Sequence, residues 1–312
     1  MNVATYPDDT RPVGWPHPVL ALGNFDGLHR GHMKIIERIR RGAQERAGTS
    51  VVLTFDPHPP RVLRPDKAPL LLMTPEQKRA ALARAGVQGL AVVRFTDELS
   101  QWEPEAFVRR VLVDWLRVAE VWVGADFLFG RNRSGNFTLL RALGQQHGFR
   151  AEKIDPIRYK DFVVSSTRIR RLVTEGRVEE AGALLGRHYT VTGQVVHGAA
   201  RGRELGFPTA NLATGNELLP PHGVYATFVT SGGVVWPAVT NIGIRPTFGG
   251  APAVAVESHV LGDPGDLYDR TIDVAFVQRL RDERRFADVD ALREQIGADV
   301  RRARRLFDKL SV

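Results

Sequence analysis

Residues 19–32 read Val-Leu-Ala-Leu-Gly-Asn-Phe-Asp-Gly-Leu-His-Arg-Gly-His, and this stretch decides the fold of the first half of the chain. The apolar run between Pro18 and Gly23 does not alternate, so it reads as a strand buried on both faces. A helical period takes over from about His32 and lasts to Ala47. Strand, glycine-rich turn and helix in direct succession make a phosphate site. Glycine lets the main chain approach the ligand, and the helix start offers unpaired N–H groups and positive potential. His29 and His32 can both face one phosphate there and stabilise charge in a phosphoryl or nucleotidyl transition state. Taken alone, the histidines would read as surface residues beside a glycine turn. Their place between a buried strand and a helix favours the phosphate. The contacting candidates are Gly23, Asn24, Phe25, Asp26, Gly27, His29 and His32.

The same grammar extends on both sides. Further strands are expected at 50–55, 89–95, 119–124 and 149–154, with helices near 104–115 and from about Thr138. Thr74-Pro75-Glu76-Gln77 opens another helix, with a capping Thr, a Pro at the first helical position and a Gln suited to a capping box. Continuous apolar strands separated by helices predict a parallel sheet covered on both faces. Ligands of such sheets bind at the carboxyl ends of strands. Thr54-Phe55-Asp56-Pro57-His58-Pro59 lies at one such end, making His58 and Pro59 candidates, although a proline-stiffened turn reads equally well. The segment 124–133, with Asp126, leaves another strand and offers groups for a base, a ribose or a phosphate. Ser165-Ser166-Thr167-Arg168-Ile169-Arg170 starts a late helix. Its serines suit a cap, while Ser166, Thr167 and Arg170 also suit a nucleotide phosphate.

After Arg187 the pattern changes. TVTGQVV, GVYATFV, VVWPAVTNIG, AVAVESHVL and TIDVAFV are strand-like and separated by Gly, Pro, Asn and Asp clusters, an antiparallel barrel signature. A closing helix carries Val289, Leu292, Ile296, Val300 and Leu306 at three- to four-residue steps. The boundary is expected near Gly186, after helices at 167–174 and 178–185. Within 202–211, Gly-Arg-Glu-Leu-Gly-Phe-Pro-Thr-Ala-Asn, a flexible loop joins a rigid element. Thr209 and Asn211 lie on one side of an extended chain and can share a metal ion and ATP phosphates, since Mg²⁺ prefers oxygen ligands. A proline turn with an Asx bond is the plainer reading. Glu257 alternates with Ala253 and Ala255, which permits an inward carboxylate on the barrel, costly unless it is paired or functional. A surface glutamate fits the same pattern.

Composition bounds the rest. A chain of 312 residues exceeds the roughly 100–200 of one domain, so two are expected. Hydrophobic residues at 43% and charged residues at 25% exclude a disordered or fibrous chain. With no cysteine, disulfides, thiolate metal sites and cysteine nucleophiles are excluded. The opening segment lacks the pattern of a signal peptide and no apolar run spans a bilayer, so a soluble cytoplasmic protein is expected. The net charge of +8 suits an anionic partner, whether a phosphorylated small molecule or a nucleic acid. The cluster Arg301, Arg302, Arg304 and Arg305 reads as a solvated helix face.

GNFDGLHRGH, TFDPHP, VGADFLFGRNR and SSTRIR, in this order, resemble the adenylyltransferase module of bacterial bifunctional riboflavin kinase/FAD synthetases. GRELGFPTAN, TNIGIRPT, VESHVL, GDLYDR and LRDERRF resemble the riboflavin kinase module of the same family. Together these motifs span nearly all of residues 18–307. The resemblance implies an α/β plus β protein. Residues 1–186 would form a Rossmann-like FMN adenylyltransferase domain, and 187–312 a riboflavin kinase domain built as a six-stranded antiparallel barrel with a closing helix. It implies that Gly23 to Gly27, His29, His32, Asp126, Ser166, Thr167 and Arg170 serve ATP, and His58 and Pro59 flavin or phosphate. In the kinase it implies that Gly206, Pro208, Thr209 and Asn211 serve Mg-ATP, that Arg281 and Glu283 contact flavin, and that Glu257 activates the ribityl 5′-hydroxyl. The implied partners are riboflavin, FMN and ATP, with FAD as product, no nucleic acid or membrane, and a monomer or weak homo-oligomer. Three positions depart from the family: Leu128, where a basic or polar residue is usual, Thr240 for Ala, and Asp269 for Gly. Two other readings stand beside this one. In the first, only one module is active and the other is retained for flavin binding or structure; in the second, the chain is RNA-associated, since HxGH also occurs in aminoacyl-tRNA synthetases. No KMSKS-like loop or aromatic-plus-basic RNA platform accompanies it.

Overall fold

The computed structural model describes residues 1–198, 201–245 and 253–310. Two compact units divide it: Met1–Leu70 with Pro75–Ser165, and Leu71–Thr74 with Ser166–Val312.

In the first unit, β1 (Asn2–Tyr6), β2 (Val19–Leu22), α1 (Arg30–Glu45), β3 (Ser50–Asp56), α2 (Pro75–Arg84) and β4 (Gly89–Arg94) follow in order. A helix over Pro104–Phe107 then widens into a π-helical stretch at Val108–Trp115, and β5 (Glu120–Gly124), α3 (Phe137–His147), β6 (Arg150–Ile154) and a short hairpin of Arg158–Tyr159 with Phe162–Val163 follow. The strands form a six-stranded sheet in the order β1-β4-β3-β2-β5-β6, and every pair is parallel. Leu20, Leu53, Val93 and Val121 are wholly or almost wholly buried against Phe107, Val111, Trp115 and Leu140. Ile35, Ile36 and Ile39 of α1 cover β2, β3 and β5. With a helix on each side, every side chain of β2 is buried, which is why its sequence does not alternate. β1 was not anticipated: it is a half-exposed edge strand, without the continuous apolar run that marks β2.

In the second unit, α4 (Ser166–Thr174) and α5 (Val178–Leu185) precede β7 (Tyr189–Val196), β8 (Ala210–Thr214), β9 (Gly223–Ser231), β10 (Val234–Arg245), β11 (Ala253–Val260), β12 (Thr271–Arg281) and α6 (Val289–Leu310). The six strands close a barrel in the order β7-β8-β11-β10-β9-β12, antiparallel throughout. The sixth strand, β8, grows out of the segment read as a rigid PTAN element. The compact units part at Ser165, ahead of the helix-to-strand switch at Gly186. Ile169, Leu172, Val173, Val178, Ala181, Leu184 and Leu185 are buried, and α5 packs on β7 and β12. The switch from helix to strand is therefore not the packing boundary.

Two elements show which of their positions are buried. On α6 the fully buried positions are Asp299, Ala303 and Phe307, whereas Val289 is 60% exposed. Leu292, Ile296, Val300 and Leu306 flank that stripe half-buried. On β11 the buried residues are Val256, Ser258 and Val260. Inside the barrel the hydroxyls of Thr227, Thr240 and Ser258 form a chain with spacings of 2.7 and 2.9 Å. Glu257 lies on the opposite, outer face and is half-buried. An interior serine with satisfied hydroxyl bonds costs little, so apolarity alone does not say which face of β11 is inside.

Candidate active sites

In the first unit, β2 pairs with β3 on one side and β5 on the other. Chain order reverses there, and such a switch point leaves a crevice at the carboxyl ends of the strands. The parallel order brings three motifs to that edge: the loop after β2, Thr54–Pro59 after β3, and the turn with Asp126 after β5. In the first of these loops Phe25 (φ 48°), Gly27 (φ 84°) and Leu28 (φ 38°) all lie in the left-handed region. Phe25 and Leu28 are each 1% exposed, so burial of their side chains offsets a strain of about 1–3 kcal/mol per residue. Backbone strain held in this way is characteristic of ligand-binding loops.

His29 ends that loop as the N-cap of α1. Its Nδ1 accepts from the His32 N–H at 3.3 Å, which assigns the proton of a neutral imidazole to Nε2. The His29 and His32 rings stack with centroids 3.6 Å apart and 13° between planes. Phe25 lies 4.9 Å from the His32 ring. A Cβ on Gly31 would come within 3.1 Å of the His29 ring, so the glycine of HxGH gives the capping imidazole its room. Asp26 and His29 are buried, while Gly23, Asn24 and His32 are half-buried. His58 and Pro59 are half-buried at the start of the helix Pro59–Leu63. Asp126 is exposed on its turn. Ser166, Thr167 and Arg170 stand at the start of α4, in the second unit.

Lys78 was missed. From α2 its Nζ donates to the Asn24 carbonyl at 2.9 Å and lies 3.5 Å from Thr54 Oγ1. Burial pushes its pKa below the ordinary lysine value, while Asp26 and Asp56 pull it upward. The available signal is its place four residues before the buried Leu82, on the packed side of the helix.

In the second unit, Glu257 stands opposite Asn211 of β8 on one side and Asn241 of β10 on the other. The three make a polar row across the outer face of the barrel, where directly opposed side chains are close enough to interact. Asn211 is buried and Thr209 half-buried. Next along β11 on this face, His259 Nδ1 lies 2.8 Å from the Pro208 carbonyl, and its ring meets Phe207 edge-on at 5.4 Å. The VESHV and PTAN motifs thus fix each other. A Cβ on Gly202 would sit 2.5 Å from the Phe207 carbonyl and 3.2 Å from Thr209 Oγ1, and one on Gly198 would overlap the Asn211 amide. Side chains at these glycines would fill the space around the proposed phosphate ligands. Gly206 is exposed, with φ 85°, and Pro208 is also exposed.

Arg281 is engaged with Asp299 of α6 through Nε at 2.9 Å and Nη2 at 2.7 Å, and Nη1 donates to the Asp282 carbonyl. Glu283 folds back over Gly243, where an added Cβ would meet its Oε1 at 2.7 Å and Asn241 Nδ2 at 3.2 Å. Pro246 and Thr247 of TNIGIRPT lie outside the described residues.

A parallel sheet with an HxGH loop at its switch point and a barrel carrying a PTAN element beside a paired glutamate define a two-module nucleotide-dependent transferase. The family model for FAD synthetase matches residues 14–168, and that for riboflavin kinase matches residues 185–307. The bifunctional riboflavin kinase/FMN adenylyltransferase of Pseudomonas fluorescens is 40% identical over 92% of this chain and 92% of its own length. The protein of the same description from Escherichia coli K12 is 37% identical, over 93% and 92%. A crystal structure described as a macrolide-efflux protein from Streptococcus pneumoniae superposes with a TM-score of 0.88 at 29% identity, covering 97% of this chain and 99% of that one. The chain belongs to the bifunctional riboflavin kinase/FMN adenylyltransferase family. Among the described residues no helix is long and apolar enough to cross a membrane.

Proposed function

We propose that this chain phosphorylates the ribityl 5′-hydroxyl of riboflavin with ATP to give FMN, then adenylylates FMN with a second ATP to give FAD and pyrophosphate. The observation that carries the reading is the pairing of Glu257 with Asn211 on the barrel, beside the PTAN element. A primary hydroxyl is a poor nucleophile at neutral pH, so the Glu257 carboxylate accepts its proton as the oxygen attacks the γ-phosphorus and ADP leaves. Thr209 and Asn211 hold the phosphates. In the second reaction the FMN phosphate is already anionic and needs no base. It attacks the α-phosphorus while His29, through Nε2–H, and His32 stabilise the rearranging charge and pyrophosphate departs.

Among the described residues no group of three or more His, Asp or Glu side chains has metal-binding spacing. The oxygen donors Thr209 and Asn211 suit Mg²⁺ arriving on ATP, because Mg²⁺ keeps several waters and takes substrate phosphates rather than an all-protein cage. Those two residues would hold it, and it would neutralise phosphate charge. His58 and Pro59 are assigned to flavin or its phosphate and Asp126 to the adenosine. Ser166, Thr167 and Arg170 are assigned to ATP on their motif. Glu283 is assigned to flavin, with Arg281 fixing its turn through Asp299 and the Asp282 carbonyl. We assign adenylyl transfer to residues 1–186 and the kinase to 187–312, and expect a cytoplasmic monomer or weak homo-oligomer that binds no nucleic acid. Incubation with riboflavin and Mg-ATP, with products resolved by chromatography, should yield FMN and then FAD. Neither product from active-site-competent protein, or nucleic acid co-purifying in place of flavin, would contradict the proposal.

A further inference from the structure

Lys78 commits an ammonium to one main-chain carbonyl. Nζ donates to Asn24 O at 2.9 Å, and Thr54 Oγ1 donates to the same atom at 3.0 Å. The phosphate loop is thereby gripped at its second residue from both α2 and β3. A neutral donor would satisfy that carbonyl at a smaller desolvation cost, so the hydrogen bond alone does not account for a half-buried charge. The charged groups acting on Lys78 are the carboxylates of Asp26, in the same loop, and Asp56, at the end of β3. Two carboxylates bordering a loop that takes a polyanion oppose its binding, and a cation that both attract offsets part of this.

We propose that Lys78 is a positioning residue for adenylyl transfer: its ammonium pins the Asn24 carbonyl and balances Asp26 and Asp56, so that the loop accepts the ATP phosphates. This rests on the adenylyltransferase reading above. Lys78→Gln keeps a donor and removes the charge, whereas Lys78→Arg keeps the charge. With FMN supplied, Lys78→Gln should raise the KM for ATP about tenfold or more and leave the KM for FMN within about twofold, while Lys78→Arg stays near the parent. The riboflavin kinase half-reaction, run on the same preparations, should be unchanged because it belongs to the other compact unit, while the preserved KM for FMN and an unchanged thermal unfolding profile report that the unit carrying Lys78 is intact. An ATP KM in Lys78→Gln within about twofold of the parent overturns the inference. A parent that makes no FAD from FMN overturns the underlying reading instead.

A second measurement covers a Lys78→Gln variant that does not fold. Because burial lowers the Lys78 pKa, the ammonium loses its proton at lower pH than an ordinary lysine. The parent's KM for ATP should therefore rise with pH before that of Lys78→Arg, which stays protonated. Identical alkaline profiles for the two would contradict the proposal.

Discussion

At His29 one imidazole joins the fold to the proposed chemistry. Capping α1 through Nδ1 leaves Nε2–H as the donor, and stacking on His32 holds both rings at the helix start. His32→Ala should lower FAD formation from FMN by about 10²–10³-fold, the usual effect of removing one preorganised donor. FMN should still accumulate from riboflavin, and normal FAD synthesis in that variant would sink the assignment. Two of the family departures have local explanations. Asp269 occupies a left-handed backbone position (φ 59°), where glycine is strain-free and Asp is tolerated. Thr240, in place of Ala, is fully buried with its hydroxyl bonded to Thr227 and Ser258. Leu128 is 44% exposed, and the structure gives no reason for an apolar residue there.

The helices and strands were legible where burial leaves a pattern in apolarity, as in β2, β3 and α1. β8 was not, because Ala-Asn-Leu-Ala-Thr is short and holds a single large apolar residue, Leu212. The apolar period of α6 marks the side that packs, since Val300 and Leu306 lie against the barrel core, but it omits Asp299, which the pairing with Arg281 brings inside. No hydrophobic period can reveal an aspartate. Asp299→Ala would leave the Arg281 guanidinium, 19% exposed in its side chain, without its carboxylate. We expect a loss of about 3 kcal/mol in barrel stability, measured by denaturant unfolding followed on the second unit. A change under about 0.5 kcal/mol would show that the pair is no more than a surface ion pair.

Across the chain, the motif strings marked both candidate sites, but only topology explains why distant strings meet. Parallel order collects three strand ends at one edge of the sheet, and antiparallel register sets Glu257 between Asn211 and Asn241. Lys78 escaped notice because a lone helical lysine reads as solvated until its carbonyl partner is placed in space. Both reactions move phosphoryl groups and should share a need for a hard divalent cation. EDTA should stop both half-reactions and added Mg²⁺ should restore them, whereas turnover in metal-free buffer would contradict the metal assignment.

The central claim is that one chain carries two separable active sites, with Glu257 as the base of only one. Its most direct test is the pair of half-reactions, riboflavin to FMN and FMN to FAD, run on Glu257→Gln beside the parent. Glutamine keeps the shape of the side chain but cannot accept the proton, so FMN formation should fall by about 10²–10⁴-fold. FAD formation from supplied FMN should be nearly unchanged, and Thr209→Ala and Asn211→Ala should show the same one-sided loss. Equal loss of both reactions in Glu257→Gln, or an intact kinase, would contradict the account.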